Sequence, residues 1–339
     1  MIYPKYSNKL IDQAGGNLID RSISNKDNDF AVLSNWRAAH AFPLNTMQIY
    51  LRRASYKINI ETIVVQRLKK LSSILFKLQR FPKMQLSRMQ DIGGCRAILS
   101  SIEEVNYVYK YFLESRMKHK LVNEKKYIKC PKESGYRGIH LVYKYYSDKN
   151  AIYNDYQIEV QLRTQMQHMW ATTVETIGLF SNQSLKSSMG SKDWLRFFSL
   201  VSGLFAIEEN ATLVPSIPKN RAEILDETND LIVKLKVYDK LNAYKAVVSE
   251  LSKRKNKESK YYLLNLIPSE RRTRVTSFFS NQIEEATNKY IELERQSLNT
   301  DNEVVLVSSD TIENMEIAYP NYFMDTTKFS QKLKYVLSK

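Results

Sequence analysis

Four groups of side chains between residues 67 and 163 have the types and spacing to handle phosphates. Arg67-Leu68-Lys69 is followed by Ser73 and Lys77. In a strand Arg67 and Lys69 project to the same side, and in a following helix Ser73 and Lys77 share a face. Cations at a strand end that look toward a helix N-terminus make a cradle for a polyphosphate. Next, Asp91 opens an apolar strand and Arg96 follows it. A lone carboxylate at a strand edge suits Mg²⁺, which takes few carboxylates and completes its shell with phosphate oxygens and water. Residues 127–140 read YIKCPKESGYRGIH. There Tyr136 can stack a base, worth roughly 1–3 kcal/mol, while Lys129, Lys132 and Arg137 take phosphates, and His140 closes the segment. Finally, Glu159, Gln161 and Arg163 alternate with Val160 and Leu162, so three polar side chains share one strand face and need a ligand or a network. Each group alone has an ordinary explanation: a basic surface helix, a turn aspartate, a hairpin loop, an amphipathic strand. Their succession along one stretch argues for a common site.

The elements that would position them follow from periodicity. Asp29–Ala41 and Pro43–Arg53 carry apolar residues at helical spacing. The β-branched run within Glu61–Lys69 predicts a strand, and Ser72 or Ser73 is the expected cap of a helix running to Arg80. Ile92–Leu99 reads as a strand and Ile102–Lys118 as an amphipathic helix. Arg137–Tyr146 and Ile152–Thr164 read as a strand pair joined by the polar turn Ser147–Asn150. Gln165–Phe180 is helical, and its His168, Trp170 and Glu175 are read as packing and positioning residues. The Ser-, Lys- and Asn-rich stretch Asn182–Lys192 is the expected domain boundary. Beyond it, Trp194–Ala206 and Ile217–Leu298 read as mostly helical with an interruption near Pro268, Glu303–Ser308 as a lone strand, and Asp325–Leu337 as a helix. The expected class is α+β, a mixed sheet flanked by helices, with a mostly helical C-terminal region.

Composition narrows the function. At 339 residues two domains are expected: residues 61–181 carrying the chemistry, after a helical segment over 1–60 that packs on them, and residues 193–339, with a small strand-containing module near 300–325. Two cysteines, Cys95 and Cys130, cannot supply a disulfide framework or a four-thiolate zinc site. No apolar run approaches the length of a membrane span and Met1–Leu10 lacks a signal-peptide core, so a cytoplasmic protein with no membrane partner is expected. The net charge is +15, and residues 61–140 hold 17 basic against 7 acidic side chains. Such a concentration of positive charge draws phosphates, whether of nucleotides or of nucleic acid.

In order and spacing, Arg67-x-Lys69 with Ser73 and Lys77, Asp91 with Arg96, PKxxGYR with His140, and ExQxRT with HxWA (His168–Ala171) resemble the synthetase domain of the RelA/SpoT alarmone enzymes over roughly residues 60–180. The resemblance implies a nucleotidyltransferase-like sheet and an ATP-dependent pyrophosphokinase that moves the β,γ-pyrophosphate of ATP to a ribose 3′-hydroxyl. It implies Arg67 and Arg96 on the adenine, Lys69, Ser73 and Lys77 on the ATP phosphates, and Asp91 and Glu159 on Mg²⁺. Glu159 would also activate the acceptor hydroxyl, with Gln161 beside it in the catalytic set. Lys129, Lys132, Tyr136, Arg137, His140 and Arg163 would bind the acceptor. No His is followed by Asp, so the hydrolase half of long family members is not expected.

The long extension and the segment Asn35–Leu44 (NWRAAHAFPL) are similar to the toxic small synthetases, and to the fused toxin–antitoxin proteins of the CapRel type in particular. That similarity implies the 3′-terminal adenosine of tRNA as acceptor, a block of translation, and restraint by the C-terminal region until a phage structural (capsid) protein relieves it. Tyr319 and Tyr322 would occlude the adenine site by stacking on Arg67 and Arg96. An inhibitor fused in cis suggests a monomer. The alternative is an alarmone synthetase acting on GDP, GTP or adenosine nucleotides.

Overall fold

The computed structural model describes residues 2–180, 191–243, 259–270, 272–298, 300–309, 311–323 and 325–339, so the expected boundary at Asn182–Lys192 lies almost wholly outside the described residues. Three helices open the chain: α1 (Asn8–Ile19), α2 (Asp27–Ala39) and α3 (Ala41–Tyr56). Strand β1 (Ile63–Leu68) leads into α4 (Leu71–Arg80), then β2 (Gly93–Leu99) into α5 (Ile102–Glu114). Strands β3 (Lys120–Lys126), β4 (Ile139–Lys144) and β5 (Gln157–Thr164) follow, with α6 (Gln165–Phe180) directly after β5. The C-terminal part contributes α7 (Lys192–Glu208), α8 (Arg221–Leu235), α9 (Val237–Ala243), β6 (Ser259–Ile267), β7 (Arg272–Phe279), α10 (Ile283–Gln296), β8 (Glu303–Ser308), α11 (Ile312–Ala318) and α12 (Thr327–Leu337). Among the described residues no helix is long and apolar enough to cross a membrane.

One mixed eight-stranded sheet runs through the molecule in the order β3-β4-β5-β2-β1-β8-β6-β7. β2 and β5 pair in parallel, and the other neighbours are antiparallel. The period-two alternation sorts the strands of the first half. Val64, Leu68, Cys95, Ala97, Leu99, Ile139, Leu141, Ile158, Val160 and Leu162 face one way, into a core closed by Leu44, Met47 and Leu51 of α3 and Val105, Val108 and Phe112 of α5. Arg67, Arg96, His140, Glu159, Gln161 and Arg163 face the other way. A separate helical layer packs Trp170 and Val174 of α6 against Phe197, Phe198 and Leu204 of α7 and Phe329 and Leu333 of α12.

The class matches expectation, with several local corrections. β8 is not a lone strand: it pairs with β1 on one side (Arg67 opposite Val307) and with β6 on the other. The hairpin β6–β7 falls where Ile217–Leu298 read as helix. Its residues Arg272–Phe279 alternate exposed and buried, and Leu263, Leu264 and Leu266 are all buried inside a sheet, so period two outweighed helical propensity. β3 was not anticipated, because a lysine-rich edge strand exposed along nearly its whole length has no apolar face to betray it. β5 begins at Gln157 and not at Ile152: Ala151–Tyr153 is a short 3-10 turn and Asp155 takes φ 69°, which breaks the extended run. The residue preceding α4 is Lys70, not Ser72 or Ser73; the amide of Leu71, its first helical residue, is capped from a distant helix instead.

Candidate active site

Strand register brings the polar face together. Gly94 lies opposite Arg67 on one side and Glu159 on the other, Arg96 lies opposite Gln161, and Gln161 opposite His140. Gly94 keeps this face open, for no side chain rises between Arg67 and Glu159. The face floors a cleft of about 1170 Å³ walled by α4, α6 and the C-terminal residues 297, 298, 300–304, 319 and 321. Arg67, Lys69, Ser73, Lys77, Asp91, Arg96, Lys132, Tyr136, His140, Glu159, Gln161, Arg163 and Tyr319 all line it.

Two carboxylates anchor its charge. Lys69 Nζ and Lys77 Nζ each donate to Asp91, at 2.9 Å to Oδ2 and Oδ1 respectively. Burial would raise the Asp91 pKa, but the two ammonium groups outweigh it and hold the carboxyl below its usual range. Glu159 Oε1 accepts from His140 Nδ1 at 2.7 Å and Oε2 from Gln161 Nε2 at 2.6 Å. Against the desolvation that would raise it, these partners together with Lys69 hold Glu159 well below the ordinary carboxylate range. Asp91 and Glu159 also repel each other electrostatically, as carboxylates sharing one site do.

The donors form a directed chain. Arg163 Nη2 donates to Tyr136 Oη at 2.5 Å, Tyr136 Oη donates to His140 Nε2 at 2.5 Å, and His140 passes its Nδ1–H to Glu159. That sequence requires a neutral imidazole, and burial lowers the His140 pKa in agreement. Gln161 Oε1 accepts from both Arg96 Nε (3.2 Å) and Arg163 Nη2 (3.0 Å), which fixes its amide so that Nε2 points at Glu159. Burial, Arg163 and Arg67 push the Arg96 pKa down to about 10. Guanidinium groups crowded into one cleft this way set up a field that a phosphate or an electron-rich ring would relieve.

His168 is a positioning residue. Its Nε2 donates to the Ile317 carbonyl at 3.0 Å and its Nδ1 faces Arg96 Nη1 at 3.5 Å. Burial and the two arginines hold its pKa well below normal, so the ring stays neutral. Glu175 on α6 lines the cleft and keeps Arg67 charged against the cost of burial.

Three expected residues sit elsewhere. Arg137 is buried on the far side of its loop, with Nε on Ser202 Oγ at 3.0 Å and Nη1 on the Thr212 carbonyl at 2.6 Å. These bonds tie the loop to α7 and the segment after it, and Arg137 does not line the cleft. Gly135 (φ 89°) and Gly138 (φ 147°) shape that loop, and a Cβ on Gly135 would come within 2.7 Å of Ser202 Cβ. The adjacent Tyr136 and Arg137 point to opposite sides. Tyr136 faces the cleft, but its ring is already flanked by Arg163 at 4.9 Å and Lys132 at 5.2 Å. Lys129 is exposed and does not line the cleft. Tyr322 lies behind the cleft, buried beneath Lys70 Nζ at 4.8 Å, whereas Tyr319 lines it, donates to the Gln66 carbonyl at 3.3 Å and interacts electrostatically with Arg96 and Arg67.

The sequence reading missed Lys70, which pairs with Glu303, and Glu294, which lines the same wall. Nothing local marks either, since their partners lie more than two hundred residues away. Among the described residues no cluster of three or more His, Cys, Asp or Glu is placed to hold a metal. Asp91 and Glu159 nevertheless fit Mg²⁺, which needs only one or two carboxylates when phosphate oxygens complete its shell.

Residues 66–182 match the model of the region found in RelA / SpoT proteins. The GTP pyrophosphokinase YjbM of Bacillus subtilis is 35% identical over 111 residues, 32% of this chain and 52% of that protein. The GTP pyrophosphokinase YwaC of the same organism is 26% identical over 168 residues, covering 45% and 80%. The crystal structure of small alarmone synthetase 1 from Bacillus subtilis bound to its product pppGpp is 26% identical, with a TM-score of 0.38, and covers 49% of this chain and 88% of that one. The chain thus spans about half the length of the first of these relatives. Residues 66–182, which carry most of the cleft's polar side chains, are thus similar to the region found in RelA / SpoT proteins.

Proposed function

We propose that the chain is an ATP-dependent pyrophosphokinase that moves the β,γ-pyrophosphate of ATP to a ribose 3′-hydroxyl, with the 3′-terminal adenosine of tRNA as acceptor. The observation that carries this reading is that Asp91 and Glu159 line one cleft and feel each other's charge, with Arg67, Lys69, Lys77 and Arg96 lining the same cleft. Pyrophosphoryl transfer asks for this inventory: charge stabilisation and positioning, with little covalent chemistry from the protein. Lys69, Ser73 and Lys77 hold the polyphosphate, and Arg67 and Arg96 flank the adenine. Asp91 and Glu159 would hold Mg²⁺, which neutralises the phosphate oxygens. Glu159, steered by His140 and Gln161, accepts the hydrogen bond of the attacking hydroxyl. Tyr136, Arg163 and Lys132 line the acceptor side. The high positive charge favours a polyanionic acceptor over a mononucleotide.

The C-terminal region restrains this activity in the proposal. Tyr319 occupies cleft volume beside Arg67 and Arg96, and β8 is annealed to the strand that carries Arg67. Release by a phage structural protein would clear the donor site, as in fused toxin–antitoxin proteins. A second reading, synthesis of guanosine alarmones, is favoured by the names of the two relatives, both GTP pyrophosphokinases. Transfer of label from γ-³²P-ATP, offered deacylated tRNA and a GDP/GTP mixture in parallel, separates the readings. Label on tRNA, stronger in Tyr319→Ala, supports the restrained tRNA-modifying enzyme; label on guanosine nucleotides alone replaces it with the second reading.

A further inference from the structure

Arg37 on α2 and Glu294 on α10 lie 257 residues apart and form a two-pronged ion pair, Nη1 to Oε2 at 2.6 Å and Nη2 to Oε1 at 3.2 Å. Tyr290 Oη accepts from Arg37 Nη2 at 2.6 Å and donates to Glu294 Oε1 at 2.9 Å. The same Oε1 accepts the Leu71 amide N–H at 2.5 Å. Leu71 is the first residue of α4, whose own N-cap, Lys70, makes no side-chain cap. A carboxylate from the C-terminal half therefore caps the helix that carries Ser73 and Lys77.

This is an anion site with a resident anion. A guanidinium fork and an N–H at a helix N-terminus are the donors that hold phosphate. Arg37 is 3% exposed, and its Nε is buried without a partner, so the guanidinium has donor capacity beyond what Glu294 uses. Glu294 reaches the wall of the cleft next to Lys70, Ser72 and Ser73. A buried guanidinium stripped of its carboxylate is costly, so any state in which α10 moves away calls for another anion in its place.

We propose that Glu294 is an internal stand-in for phosphate, and that Arg37 with the Leu71 N–H forms a phosphate subsite which the polyphosphate tail of a nucleotide fills when α10 withdraws. This rests on the reading that the cleft takes a nucleoside triphosphate. The C-terminal half then competes with the donor at two points, Tyr319 at the base end and Glu294 at the phosphate end, and Arg37 joins the binding residues.

Calorimetric titration of the full chain with inorganic tripolyphosphate tests it. Glu294→Gln removes the charge and keeps the shape, so binding should tighten by about tenfold. The gain should vanish in the double variant Glu294→Gln, Arg37→Gln. Unchanged affinity in the single variant, or a gain that survives loss of Arg37, overturns the proposal. Should Glu294→Gln fail to fold, Tyr290→Phe decides: it removes one donor to the carboxylate, leaves the ion pair, and should tighten binding by about threefold, whereas no gain overturns. Labelled-ATP transfer is read separately. Its absence in every variant would sink the pyrophosphokinase reading and leave the titration result standing.

Discussion

One face of one sheet is finished in two ways. Across β4, β5, β2 and β1 it presents His140, Glu159, Gln161, Arg163, Arg96 and Arg67 to a cleft. Across β8 and β6 the same face presents Val305, Val307, Tyr262, Leu264 and Leu266, covered by Met315, Ala318, Tyr319, Tyr322 and Phe323. Arg67 and Val307 are register partners, so the change from charged to apolar happens between two adjacent strands. The apolar half satisfies itself by burial. The polar half satisfies itself by hydrogen bonds among its own members and still holds more positive charge than its carboxylates answer. A stretch of chain that only packed would be finished like the first; the second is finished for a ligand.

The largest expected effect is on the polar half. Glu159→Gln keeps the hydrogen-bonding shape and removes the charge, and the rate of pyrophosphate transfer should fall by about 10³-fold or more. The melting temperature should move little, because the side chain borders the cleft. A melting temperature that collapses with the rate would make Glu159 a structural residue and erase the contrast. On the apolar half the pattern reverses. Leu264 is fully buried, and Leu264→Ala should cost about 2–5 kcal/mol of stability, read from the midpoint of urea unfolding.

These two halves were unequally legible in the sequence. Period two in Glu159–Arg163 and the cations at 67, 69 and 77 together with Ser73 announced the polar half because its chemistry is local. The apolar half was misread, since β6 is buried on both faces and gives no alternation, and its partner β8 is joined to it only in space. Arg137 was misplaced because the loop's two positive-φ glycines turn neighbouring side chains to opposite sides, which composition does not reveal. The masking of the α4 N-terminus by Glu294 was out of reach for the same reason as the Arg37 pair: no local pattern couples positions so far apart.

A further difference between the halves is sensitivity to pH. His40 packs behind the polar half, with its Cβ close to Gly93 of β2, and burial lowers its pKa from 6.5 to about 4. Between those values the unfolded chain binds the proton and the folded one does not, so stability falls as pH drops from 6.5 toward 4, by up to about 3 kcal/mol. Urea unfolding across that range should show the loss, and His40→Gln should make it shallower without abolishing it, because burial also holds His140 and His168 below the ordinary imidazole range. An equally steep profile in the variant would assign the sensitivity elsewhere. The smallest effect is expected at the outer edge of the apolar half: Arg274 is exposed on β7, and Arg274→Ala should change stability by less than about 0.5 kcal/mol.

If the polar cleft transfers a pyrophosphoryl group, the nucleotide left behind reports it. Transfer of the β,γ-pyrophosphate turns ATP into AMP. With the Tyr319→Ala chain, Mg²⁺, ATP and deacylated tRNA, AMP should form in step with pyrophosphorylated 3′ ends, and none should form with Glu159→Gln. ADP as the product, or AMP that forms equally well without Glu159, would contradict it.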